Sequence, residues 1–155
     1  MGRRFFPVAV LFMAALLASA TKAEESDDLA AVQELLRREY DKPSAPLRLE
    51  AMAMVNDAAI ADWRQGELAG RAFLRRKEGN WSIALCAGDA LKNADALSKL
   101  GLPMAQAKAL ANKLAEAERG LSHETLENIG RFDRVVEMDA AADRSPSDSH
   151  HRLPQ

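Results

Sequence analysis

Cys86 is the chain's single cysteine, and His123 is the one histidine that falls inside a segment with regular periodicity. A thiol and an imidazole in hydrogen-bond reach make a nucleophilic pair, because the imidazole takes the thiol proton and leaves a reactive thiolate. Nothing in the spacing of these two residues brings them together, so the dyad rests on their presence alone. The same side chains also belong to another chemistry. Copper(I) prefers soft thiolate and thioether donors and accepts imidazole, which makes Cys86, His123, Met52, Met54, Met104 and Met138 the available ligand set. Met52 and Met54 stand two residues apart, and a two-residue period puts both thioethers on one face of a strand, as a clamp would need. Methionine is also common core filler, so packing against a covering helix is the ordinary reading of the same pair.

Cys86 likewise reads first as a small buried hydrophobe at a strand end. Trp63 and Trp81 offer a flat aromatic face for a ligand or partner, although buried tryptophan serves packing before anything else. His150 and His151 are adjacent in a polar tail and supply too few ligands for a selective metal site. No Walker loop, GxGxxG, HExxH, paired CxxC or GxSxG occurs. The expectation is therefore a binding role without catalysis, with no cofactor fixed by the residues and copper the one metal they suit.

These residues have to be held by something. Leu29, Val32, Leu36 and Tyr40 recur at helical spacing after the capping types Ser26 and Asp27, and Pro43 stops the run. From Leu47 the period becomes two, with Leu47, Leu49, Ala51, Ala53 and Val55 on one side and Arg48, Glu50, Met52 and Met54 on the other. Asn56-Asp57 is a tight-turn pair leading to a second strand, Ala58 to Arg64. Gly66 and Gly70 bracket a loop, Arg71 to Arg76 forms a third strand, Glu78-Gly79-Asn80 turns it, and Trp81 to Cys86 forms a fourth. Asn93 caps a short helix ending at Gly101. Pro103 starts a longer one with the stripe Leu110, Leu114, Ala117 and Leu121, and Ser122 caps a third that Gly130 closes. Phe132 to Met138 reads as a fifth, edge strand. The fold class is α+β: an N-terminal helix, an antiparallel meander of four to five strands, and C-terminal helices packed on one face.

Met1 to Arg4 is a basic start, Phe5 to Ala18 is apolar, and Ala18-Ser19-Ala20 presents the small residues a signal peptidase reads. The uncharged run stops at Thr21, short of a membrane span, so the expectation is a signal peptide over 1–20, cleaved after Ala20 with Ala23 as a second choice. The mature chain would have no membrane span and would work in the periplasm. It would comprise one domain over 21–139 and a polar, disordered tail over 140–155, since about 130 residues make one ordinary domain. Losing Arg3 and Arg4 turns 21 basic against 23 acidic residues into 19 against 23, a balance that favours no nucleic-acid partner. One cysteine allows no internal disulfide even in an oxidising compartment.

The stretch Ala61 to Lys92, ADWRQGELAGRAFLRRKEGNWSIALCAGDALK, resembles the central segment of the small exported copper uptake system-associated proteins. The resemblance is carried by Trp63, Gln65-Gly66, Gly70-Arg71-Ala72, Leu74-Arg75, Gly79-Asn80-Trp81, Leu85-Cys86 and Gly88-Asp89. It continues through Leu97 to Pro103 and Arg131-Phe132, covering roughly Leu47 to Met138. It implies an accessory role in copper acquisition or delivery, beside a periplasmic copper chaperone or a copper transporter. It does not imply that the chain holds copper itself.

Overall fold

The structure is a computed structural model that describes the backbone of residues 11–132 and 136–137 and the side chains of residues 24–132. A long helix, α1 (Leu11–Tyr40), leads into an antiparallel meander of β1 (Leu47–Val55), β2 (Ala58–Gln65), β3 (Leu68–Lys77) and β4 (Asn80–Ala87). A 3-10 turn (Asp89–Lys92) then precedes α2 (Ala94–Lys99) and α3 (Met104–Ala117). A second 3-10 turn (Glu118–Gly120), α4 (His123–Gly130) and a short β5 (Val136–Glu137) complete the order. The five strands form one open sheet in sequence order, with β5 beside β4. The fold is the expected α+β arrangement, and within the expected fifth strand, Phe132 to Met138, the described residues Val136 and Glu137 pair with Cys86 and Leu85.

Turn chemistry sets the meander locally. Asn56 takes a positive φ of 53° and joins β1 to β2 in a two-residue turn, while Glu78 and Gly79, at φ 51° and 82°, do the same between β3 and β4. Gly70 lies inside β3, so the loop after β2 is only Gly66 and Glu67. Its missing side chain makes room for aromatic rings: a Cβ there would stand 3.0 Å from both Phe132 Cγ and Trp63 Cζ2.

Both faces of the sheet are covered, which is why β2 and β3 bury consecutive residues, Ala58 to Asp62 and Ala69 to Leu74. Helices α2 and α3 lie on one face, where Leu97, Leu110 and Leu114 pack on Ala53, Ile60, Phe73 and Leu85. Helix α1 covers the other with Val32 and Leu36, against Met54, Ala59, Ala61, Ala72, Leu74 and Cys86. Each fully buried Leu or Ile contributes roughly 1.5 to 3 kcal/mol, so the two layers carry most of the stability. The small alanines of β2 and β3 let α1 approach closely.

The expected alternation of β1 does not run its whole length. The β1–β2 register shifts between Leu49 and Ala51, leaving Glu50 as an extra residue in a bulge. Leu47 and Leu49 therefore join Met52 and Met54 on the α1 side, and Ala53 and Val55 face α3. The bulged Glu50 accepts a hydrogen bond from Arg64 Nε at 2.7 Å.

Helix α1 runs unbroken through Ala20 and Ser26, so Ser26 and Asp27 lie within it and cap nothing. Its anchoring contacts lie further along. Glu25 takes Lys113 of α3 at 2.6 Å, and the Asp28 carboxylate accepts from Arg76 at 2.7 and 2.6 Å and from the Trp81 indole at 3.2 Å. Among the described residues no helix is long and apolar enough to cross a membrane. The whole of the expected tail over 140–155, with His150 and His151, and also Met138 lie outside the described residues.

Candidate functional site

The last turn of α1 does not seat fully on the sheet. Between them lies a semi-enclosed cavity of about 60 Å³, walled by Leu36 and Tyr40 of α1, Leu47 of β1, Trp63 and Gln65 of β2, Ala72 of β3 and Cys86 of β4. Each of the first four strands thus sends at least one residue to it. Its opening is held by Gln65, whose Nε2 donates to the carbonyls of Tyr40 and, at 2.7 Å, Ala45, so one side chain closes the helix end and the linker onto β2. Trp63 is fixed from outside by Phe132, edge to face with ring centroids 5.6 Å apart.

The chemistry inside is that of a neutral thiol. Cys86 is 8% exposed, and burial pushes its pKa up to about 11, with the nearby Trp63 indole N–H pulling weakly the other way. That N–H is buried and makes no full hydrogen bond, having only the weakly accepting Cys86 sulfur beside it. Burial also raises the Tyr40 phenol, followed by the fields of Cys86 and Glu39. All titratable groups at the cavity are therefore held in their uncharged forms at neutral pH.

The residues singled out in the sequence are only partly brought together. Met52 and Met54 do share one face with Cys86, since all three pack under α1. They do not share a site. Met52 pairs with Ala61, Ala61 with Ala72, and Ala72 with Cys86, which puts the thioether three strand spacings, about 14 Å, from the thiol at the backbone. Met54 is one row further and 4% exposed. His123 sits on the first turn of α4 with its side chain 88% exposed, 3.8 Å from Glu127. A nucleophilic thiol would need the imidazole against a sulfur whose pKa is lowered, and Cys86 has neither. Among the described residues no three His, Cys, Asp or Glu side chains gather as a metal site.

The two tryptophans also share the α1 face but differ in role. Trp81 donates to Asp28 and lies under the Arg76 guanidinium, 5.5 Å from ring centroid, so it anchors the helix. Trp63 is the tryptophan at the cavity.

A second cluster was not anticipated from the sequence. On the opposite face Arg71 of β3 is fully buried and reaches Asp62 of β2 at 3.1 Å, Asp89 at 3.0 Å and Glu118 at 2.7 Å, while Lys92 reaches Glu118 at 2.8 Å. Arg71 Nε directs its N–H to Glu118 at 3.2 Å, and neither Asp62 oxygen receives a hydrogen bond despite complete burial. The available signal was Asp62 itself, a lone acid in the apolar run Ala58 to Trp63 on the same side as Ile60.

Two glycines and Asp89 shape this end of the sheet. Gly70 clears space for Trp63 and Phe132, Asp89 pairs with Arg71, and a Cβ on Gly88 would stand 2.4 Å from the Gly130 carbonyl oxygen. Comparison of the chain with protein-family models, with curated proteins and with solved structures found no match.

Proposed function

We propose that this protein is a non-catalytic periplasmic accessory component of a copper uptake or delivery system, acting by binding at the Cys86 cavity. The copper context comes from the resemblance of Ala61 to Lys92. The mode of action is supported by one observation: the cavity presents a single soft ligand, an uncharged thiol, beside an indole N–H that makes no full hydrogen bond. A copper(I) ion held by this chain alone needs at least a second soft donor, and among the described residues Met52, Met54, Met104 and His123 stand elsewhere. The geometry therefore favours a partner, or a small uncharged ligand with one hydrogen-bond acceptor, over a self-contained copper site. In this reading a copper chaperone or transporter supplies the metal ligands, and this chain supplies a docking module.

The test is a copper(I) competition against a chromogenic chelator under reducing conditions, run with wild type and Cys86→Ser alongside denaturant melts. The expected result is that neither protein withdraws copper from the chelator, while the serine variant is less stable. Stoichiometric copper(I) retained by wild type and lost in a fully stable Cys86→Ser would overturn the docking mode and make Cys86 a ligand.

A further inference from the structure

Three acids, Asp62, Glu118 and Asp89, meet two cations, Arg71 and Lys92, but Asp89 keeps 71% of its side chain in solvent, so the buried acids are Asp62 and Glu118. Of these two, Asp62 has the weaker partners. It is 0% exposed, receives no hydrogen bond, and lies beside Glu118, which is 3% exposed and already holds Arg71 and Lys92. A buried carboxylate with no donor is costly, whereas a carboxylic acid in the same place can donate to its neighbour.

We infer that Asp62 is carried as a carboxylic acid below neutral pH, donating its proton to the Glu118 carboxylate, and that this pair is a pH-responsive latch between the sheet and the C-terminal helices. The latch joins β2 to the 3-10 turn that connects α3 to α4, so it governs how that turn sits on the sheet. Among the described residues, Arg71 and Lys92 are the cations that relieve Asp62. Its partner on β1 is Ala51 and its partner on β3 is Arg71. The turn Asp89–Lys92 contributes those two end residues, with Asp89 71% exposed and Lys92 36% exposed. Helices α3 and α4 bury apolar side chains, Leu110, Leu114 and Ile129, while His123, Glu127 and Arg131 are turned to solvent.

Burial pushes Asp62 up to about 7, with Arg71 opposing it and Glu118 adding to it. Burial also acts on Glu118, but hydrogen bonds from Lys92 and Arg71 outweigh it and hold that carboxyl below its ordinary range. Two neighbouring acids pushed apart in this way share one proton. Because the folded state raises the Asp62 pKa from 3.8, the stability it confers is complete below that value and is lost as pH rises through about 7.

The experiment is a carbon-detected NMR titration of the side-chain carboxyls in the purified full chain, with Asp62→Asn used to assign the resonance. The expected result is an Asp62 carboxyl that ionises near neutral pH, with amide exchange in residues 118–130 rising above its intrinsic pH dependence over the same range. Urea melts of wild type should show the folding constant falling at least about tenfold between about pH 5 and pH 8, and Asp62→Asn should flatten that slope. An Asp62 carboxyl already ionised at about pH 5 would overturn the proposal, as would parallel pH profiles of the two proteins. If the variant does not fold, the wild-type carboxyl titration decides alone.

Discussion

Cys86 behaves as its surroundings dictate and not as its chemistry invites. With its pKa at about 11, only about one thiol in ten thousand is ionised at neutral pH, so the sulfur is a poor nucleophile where it stands. Native protein should therefore react slowly with iodoacetamide near pH 7.5 and quickly once unfolded in urea, as followed by mass spectrometry. Equal rates in the two states would mean that the thiol is accessible and activated. Cys86→Ser places a hydroxyl against Leu36, Leu47 and Ala72 and should cost about 1 to 3 kcal/mol in a denaturant melt. The pH dependence has a definite sign. The folded thiol titrates above its ordinary 9.0, so its contribution is intact below pH 9.0 and fades as pH rises through about 11.

The contact between α1 and the sheet depends on a few polar anchors as well as on its apolar stripe. Asp28 accepts two hydrogen bonds from Arg76 and one from Trp81, with only 18% of its side chain exposed. Asp28→Ala strands a guanidinium and an indole N–H at once, and should lower stability by about 1 to 3 kcal/mol in a urea melt. An unchanged midpoint would show that apolar packing alone seats the helix. At the other end of the sheet, β4 passes so close to α4 that Gly88 has backbone in place of a side-chain neighbour. A Cβ there would meet the Gly130 and Phe132 carbonyl oxygens at 2.4 and 2.8 Å, and neither can swing aside. Gly88→Ala should cost about 1 to 3 kcal/mol or more, whereas Gly120→Ala, with nothing within 4 Å, is the control expected to melt like wild type.

Across the whole molecule, α1 runs as one helix through Ala20, where the proposed signal peptide would end. The apolar residues read as an export signal continue in register into the segment that packs on the sheet, because leucine and alanine favour helix on both sides of Ala20. Cleavage after Ala20 would keep Glu25 and Asp28, hence the Lys113, Arg76 and Trp81 contacts, and would keep Val32 and Leu36 in the core. Intact-mass analysis of a periplasmic extract should show a chain beginning at Thr21. A mature start beyond Asp28 would conflict with this, since it would remove the anchors that hold α1 in place.

The elements of this fold were legible because each depends on neighbours a few residues away. Asn93 and Ser122 cap their helices as their side chains suggest, the Asn56 and Gly79 turns follow from φ preference, and Leu29, Val32 and Leu36 announce the buried face of α1 by spacing alone. Local spacing could not show where the strands meet. The bulge at Glu50 moves Leu47 and Leu49 to the opposite face from Ala53, and it exists only because β1 pairs with β2 in one register. Register likewise separates Met52 from Cys86 by two intervening strands. It also brings Arg71 to Glu118 across 47 residues of chain and leaves Asp62 without a donor between them. Short-range preferences in the sequence determined which elements form. Tertiary packing decided which side chains share a cavity and which acid must keep its proton, because those outcomes depend on burial and charge contributed by segments distant in the chain.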